Sequence, residues 1–132
     1  MVTALTKGIK ISVEPEFSPE LTDSTNRLIF FRYKIRIENQ NDFTVQLLHR
    51  KWIIFDTVMM HRKVSGEGVV GKKPIIQRGG NFKYQSGCEI YSDFGYMKGS
   101  YDLAILDSSN NFLKEMRVNV LLFKLEFPPR LN

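Results

Sequence analysis

Three glycines, Gly66, Gly68 and Gly71, stand in a G-x-G-x-x-G spacing. They close a stretch, residues 47–71, that also holds the only tryptophan, Trp52, and both histidines, His49 and His61. Glycines at that spacing let a backbone approach a pyrophosphate when a strand precedes them and a helix N-terminus follows. Here Gly71 is followed by Lys72-Lys73-Pro74-Ile75-Ile76-Gln77-Arg78-Gly79, which is neither long nor amphipathic enough for that helix. Glu89 lies at the distance of a ribose-binding acid but ends no βαβ unit, so a dinucleotide fold is not expected. A looser arrangement stays open, in which the glycine backbone forms an anion cradle flanked by Arg62, Lys63, Lys72 and Lys73. Its competitor is architectural: glycines permit turns and close strand packing.

Other chemistry-bearing residues are scattered. There is no G-x-x-x-x-G-K-[ST] sequence. His49 and His61 have neither H-E-x-x-H nor Cys/His spacing, so no metal site is expected. Cys88 is the only cysteine and cannot form an internal disulfide; beside Gly87 in a strand it is expected to be inert packing and not a nucleophile. Asp56, Asp93 and Asp107 are turn-type acids with no reason to pair, and no magnesium-binding acid cluster is visible. Neither catalysis nor a cofactor is expected.

Charge is more informative. The net charge is +5, and residues 49–83 hold eight basic side chains (Arg50, Lys51, Arg62, Lys63, Lys72, Lys73, Arg78, Lys83) against two acids, Asp56 and Glu67. The basic excess therefore surrounds the glycines. It suits a phosphate group or an acidic partner, with Arg50, Arg62 and Lys63 as the candidate partner face; it equally suits lysines that guard exposed strands. No Lys/Arg run and no RRM, KH or zinc-finger pattern occurs, so nucleic acid is not an expected partner.

The elements that must carry these residues are strands. Hydrophobic residues make up 42% and charged residues 25%, which marks a globular chain, and no apolar run approaches the roughly 18 residues of a membrane span. No signal-peptide core is present, and a lone thiol fits a reducing compartment, so a soluble cytoplasmic protein is expected. Residues 8–13 alternate, and Pro15 and Pro19 are expected to end that strand. Residues 28–39 alternate cleanly, with Ile29, Phe31, Tyr33, Ile35 and Ile37 on one face. The 39–42 segment, Asn-Gln-Asn-Asp, reads as a hairpin turn. Residues 45–56 read as a strand whose partly apolar faces suggest either a central position or a bulge near Arg50, with Leu48 sharing a face with Trp52 and Trp52 in the core. Residues 57–62 read as a short edge segment and residues 65–71 as a Gly-rich connection. Gly79-Gly80-Asn81 marks a turn, and Ser86-Gly87 is expected to interrupt the next strand. Gly95 and Gly99 are expected to bracket a tight connection. Residues 101–106 form a strand, Asp107–Asn111 a hairpin turn, and residues 112–127 a last strand, with Met116, Val118, Val120 and Leu122 alternating and Pro128-Pro129 as its stop. Seven to eight antiparallel strands in one domain, 1–132, make an all-β sandwich; a closed barrel is the alternative.

Six ordered motifs add a family. They are Thr6-x-Gly8-Ile9 with Val13-x-Pro15; Val45-Gln46-Leu47-Leu48-x-Arg50-x-Trp52-x-Ile54-x-Asp56; Val64-x-Gly66-x-Gly68-Val69-Val70-Gly71-x-x-Pro74; Phe82-x-Tyr84-x-Ser86-Gly87; Gly95-x-Met97-x-Gly99-x-Tyr101; and Phe123-x-Leu125-x-x-Pro128-x-x-Leu131-Asn132. Together they resemble the ApaG family over nearly the whole chain. The departures are Lys51, where the family often has His; Arg78-Gly79, where Pro-Gly is usual; and Leu121, where Pro is usual. The resemblance implies an immunoglobulin-like, fibronectin type III-like sandwich. It also implies an unsettled role: the family is named for its genetic neighbourhood with a diadenosine tetraphosphate hydrolase, a second name links it to cobalt and magnesium tolerance, and its domain recurs in F-box proteins. Two functions are thus in view. One is a non-enzymatic module that binds another protein, with a second copy of the chain as a further candidate partner. The other is a binder of ATP or diadenosine polyphosphate at the Gly-rich loop.

Overall fold

Period-two alternation of β-branched and aromatic residues builds this molecule into paired strands. In a computed structural model, which describes residues 1–127, the strands are β1 (Val2–Thr6), β2 (Ile9–Phe17), β3 (Ile29–Asn39), β4 (Thr44–Asp56), β5 (Met60–Glu67), β6 (Ile75–Ile76), β7 (Asn81–Ile90), β8 (Phe94–Leu106) and β9 (Phe112–Glu126). A 3-10 turn at Pro19–Leu21 is the one helical element among the described residues. One sheet runs β1-β2-β3-β7 and the other β5-β4-β8-β9, with β6 also paired to β4. Every pairing between named strands is antiparallel. The two sheets face each other across one core, so the sandwich, and not the barrel, is the architecture.

Buried residues alternate with exposed ones along each central strand. Ile9, Ile11 and Val13 meet Ile35 and Ile37 within one sheet. Leu47, Trp52, Met97, Leu103, Phe123 and Leu125 answer them from the other. Trp52 sits in the middle, its ring 5.9 Å from Tyr33 and 6.0 Å from both Tyr101 and Phe123. The core role expected of this tryptophan is the one it has.

Several local expectations are corrected, each for a definable reason. There are nine strands: residues 74–76 read as brief and extended and hold the two-residue β6, whereas the five-residue β1 does not announce itself. Lys7 and Gly8 both have positive φ, 52° and 75°, and make the two-residue hairpin turn that joins β1 to β2. Pro15 does not end β2: β1 reaches only to Val13, so from Glu14 onward β2 is a sheet edge, where a residue without an N–H is tolerated. Residues 39–42 do not close a hairpin but carry the chain from one sheet to the other. Buried Asn39 makes that corner by donating from Nδ2 to the carbonyls of Phe43 (2.8 Å) and Ile76 (3.0 Å). Ser86-Gly87 does not interrupt β7, which stays in register with β3 throughout. Gly95 and Gly99 lie inside β8, not around a connection; an added Cβ at Gly99 would strike the Lys51 carbonyl and the Trp52 ring.

Two bulges reset the alternation. The β4–β8 register shifts between Leu47 and His49, one to three residues before Arg50, so Leu47 and not Leu48 shares the core face with Trp52. The β8–β9 register shifts between Met97 and Gly99, which puts Phe123 inside and leaves Leu122, expected inside, exposed. Pro128, Pro129, Leu131 and Asn132, assigned above to the strand stop and the last motif, lie outside the described residues.

Candidate functional site

The Gly-rich stretch is not one loop. Ser65, Gly66 and Glu67 belong to edge strand β5, where Gly66 pairs with Arg50 of β4. An added Cβ on Gly66 would lie 2.9 Å from both terminal nitrogens of Arg50, so the glycine makes room for that guanidinium. Arg50 in turn donates from Nη1 to the carbonyls of Glu67 (3.0 Å) and Gly68 (2.8 Å). Gly68 has φ +60°, and its N–H donates to the Leu48 carbonyl at 2.7 Å. Val69 and Lys72 exchange both backbone bonds, at 2.8 and 2.9 Å, around a two-residue turn in which Val70 and Gly71 have φ of 44° and 77°. The stretch is thus the end of β5 followed by a tight hairpin, held together by its own amides and by Arg50.

The expected anion-binding cations separate across the sheet. Arg62 and Lys63 are neighbours in a strand, so their side chains leave opposite faces. Arg62 points inward and bridges the two sheets: Nη1 donates to Glu89 Oε1 at 3.0 Å and Nη2 to the Glu89 carbonyl at 2.5 Å. Its guanidinium also lies 5.7 Å from the Tyr91 ring centre and 3.9 Å from Asp56 Oδ2. Asp56 is fully buried, and its carboxylate accepts the N–H groups of Val58 (2.8 Å), Met59 (2.7 Å) and Tyr91 (3.2 Å). Lys73 is 3.5 Å from Glu67, and Lys72 is exposed at the turn. Arg50, Arg62 and Lys63 therefore form no common face: the two arginines serve internal bonding, and only Lys63 looks outward.

Register assembles a different surface. On the outer face of β5-β4-β8-β9, three rows run across the strands. His61, Phe55, Tyr96 and Lys124 make one row; Lys63, Ile53 and Lys98 the next; Ser65, Lys51, Ser100 and Asn119 the third. No carboxylate stands in these rows, and among the described residues none of the four lysines is in an ion pair. Phe55 and Tyr96 stack at 4.9 Å with a 17° interplanar angle, and the Tyr96 hydroxyl is 2.9 Å from His61 Nε2. A shallow groove of about 560 Å³ opens beside them, lined in part by Lys51, Ile53, Lys98 and Leu122. Sequence spacing could not find this face, because its rows join residues up to 69 positions apart through β-pairing.

The next row, Glu67, His49, Asp102 and Arg117, mixes acids with bases. His49 and Asp102, with Glu115 from the row beyond, bring one donor atom each to within 4.8 Å of one another. Arg117 Nε donates to Asp102 Oδ1 at 2.8 Å, and this bond, with the charges of Arg117 and nearby Lys51, holds the Asp102 carboxyl below its usual range. Inside the core, burial pushes the Cys88 thiol up to about 12 and raises the Tyr33 and Tyr101 hydroxyls. A buried thiol so shifted is a packing group, not a nucleophile.

The geometry defines a class of protein: an all-β sandwich of two antiparallel sheets, one of which presents a basic and apolar outer face. Comparison with known proteins narrows the class. The model of the ApaG domain matches residues 19–104. Protein ApaG of Beijerinckia indica is 41% identical over 101 residues, covering 76% of this chain and 78% of the relative. Protein ApaG of Bradyrhizobium diazoefficiens is 37% identical over 128 residues, covering 97% and 95%. A crystal structure assigned as an ApaA protein from Bordetella pertussis superposes with a TM-score of 0.82 at 31% identity, covering 92% of this chain and 95% of that one. A protein from Archaeoglobus fulgidus, at 8% identity and TM-score 0.52, shares the fold alone. The chain belongs to the ApaG family.

Proposed function

We propose that this protein is a non-enzymatic, immunoglobulin-type binding module that contacts another protein in the cytoplasm. The layout of β2-β3-β7 facing β5-β4-β8-β9 supports the immunoglobulin and fibronectin type III likeness, with β5 as the strand added beside the central pair. One observation carries the functional reading. Arg50, Arg62 and Lys73, with the Gly68, Val69 and Lys72 amides, are taken up internally, by Glu89, Glu67, the Glu67, Gly68 and Leu48 carbonyls and the Val69–Lys72 pair, while a broad apolar and basic sheet face stays open. A phosphate binder would need the reverse, donors left free at the glycines. In-cell photocrosslinking from position 96, with position 85 on the opposite sheet as control, tests the module. A discrete crosslinked protein from position 96 is the expected result. Shifts of the Gly66, Gly68 and Gly71 amides on adding millimolar ATP or diadenosine tetraphosphate would favour the nucleotide function instead.

A further inference from the structure

We infer that the outer face of β5-β4-β8-β9 binds an extended, acidic segment of a partner protein, seated across Tyr96, Ile53 and the four lysines 51, 63, 98 and 124. This rests on the binding-module reading and adds the surface and the chemistry of its occupant.

Charge complementarity selects the occupant. Four of the chain's 19 lysine and arginine side chains stand in three adjacent rows without a carboxylate. Such a field attracts carboxylates and speeds their encounter. The nearest acids lie outside the rows: Glu67, in the row next to Ser65 and Lys51, is paired with Lys73; Asp102 is bound to Arg117; and Glu126 pairs in register with Phe94 one row beyond Tyr96.

Size selects an extended segment. Four strands about 4.8 Å apart and three rows about 7 Å apart give a patch roughly 15 Å on a side. That is far below the ~800 Å² per partner of a stable globular interface, and it matches five or six residues of extended chain. The apolar centre supplies an anchor: Ile53, Phe55 and Tyr96 are half-buried, and the groove beside Leu122 accepts an apolar side chain. The aromatic geometry favours a peptide over a nucleic-acid strand. Phe55 has Tyr96 on one side at 4.9 Å and His61 at 4.9 Å, so the rings already face one another and do not lie open for bases to stack on.

The test uses the full chain, ¹⁵N-labelled, and a capped decapeptide of eight glutamates around a central Leu-Tyr. Expected are amide shifts centred on residues 53, 63, 96 and 98, with affinity falling at least tenfold in the K63E/K98E variant and at least fivefold between 50 and 500 mM NaCl. Both substituted side chains are exposed, so an unchanged spectrum elsewhere certifies the fold. No shifts at 2 mM peptide, shifts centred on Lys72 and Lys73, or equal affinity in K63E/K98E would each overturn the inference. Tighter binding of a twelve-residue oligothymidylate than of the peptide would overturn it in favour of nucleic acid. If the peptide fails while crosslinking from position 96 still traps a discrete protein, the module reading stands and the acidic, extended occupant alone is wrong.

Discussion

Replacing Arg62 with alanine separates an internal strap from a ligand-binding cation. Its side chain is only 23% exposed, and it is the one group that ties edge strand β5 to β7 of the opposite sheet by an ion pair. R62A removes the bond to the Glu89 carboxylate, worth about 1 kcal/mol at a site one-third exposed. It removes the charge-assisted bond to the Glu89 carbonyl, about 1.5 kcal/mol, and the contact with Tyr91, about 0.5 kcal/mol. Asp56 keeps its three backbone donors, so the 3.9 Å approach of Arg62 adds little. Arg62 Nε is buried with no partner among the described residues, which offsets part of the gain. The expected loss is therefore about 2–3 kcal/mol, a large share of the ~5–15 kcal/mol of a small domain. Urea denaturation should show the midpoint falling with an unchanged m-value. K63A, one residue away on the outer face, should stay within ~0.5 kcal/mol. The R62A/E89A cycle should give a coupling energy of about 1 kcal/mol or more. If R62A costs no more than K63A, or the cycle shows no coupling, the strap does not exist and Arg62 is again available to a ligand.

The glycines make a parallel case. G66A should destabilise by about 1–2 kcal/mol, because its Cβ presses on the Arg50 guanidinium, a flexible group that can give; G99A should cost more, because it meets backbone and the Trp52 ring. Thermal denaturation of the two variants that reversed this order would refute the packing argument. Cys88, buried and with its thiol pushed up to about 12, should react with a thiol reagent at pH 8 only as fast as the protein unfolds, so a labelling rate independent of urea would count against the buried placement. Asp102 supplies a pH test. Arg117 depresses its folded value, so its contribution to stability is present above the unfolded carboxylate range and disappears as pH falls through the lower folded value. D102N should therefore be less stable than the parent at pH 7 and converge with it towards pH 2; parallel curves would sink the assignment.

What the sequence made legible follows from period two. Ile29, Phe31, Tyr33, Ile35 and Ile37 alternate without interruption, and β3 runs almost where they place it, one residue inside the expected start. Trp52 in the core, a bulge near Arg50 and the Asp107–Asn111 hairpin are equally local facts; there the Asp107 carboxylate accepts the N–H groups of Ser109 and Asn111. Illegible features depend on partners distant in sequence. Gly95 and Gly99 look like turn residues until β4 is laid beside β8, when the Phe55 and Lys51 carbonyls fill the space a Cβ would need. Asn39 looks like a hairpin residue until Ile76 is seen to accept its amide. The candidate site suffered most. Local spacing grouped Arg62, Lys63, Lys72 and Lys73 by number, whereas a strand sends consecutive side chains to opposite faces and pairing decides which lysines meet.

The bulge in β4 explains why that grouping fails. With unbroken alternation from Val45, residue 51 would face the core and residue 50 the solvent. The extra residue at Leu48 inverts this: Lys51 turns outward beside Lys63 and Lys98, while Arg50 turns inward, where only a glycine at 66 leaves room for it. One irregularity therefore creates the need for glycine at the first position of the G-x-G-x-x-G stretch and turns Lys51 onto the basic outer face at the same time. Gly71, with φ +77° and open space around its Cα, answers to a separate demand, the hairpin turn after Val70. Gly68 answers to a third, since its φ is +60° and an added Cβ would strike the Lys72 carbonyl, so the spacing that resembles a phosphate signature is the sum of separate steric requirements. The charge that seemed to belong to it is carried outward by the same β4 bulge, onto a surface where β5, β4 and β8 meet.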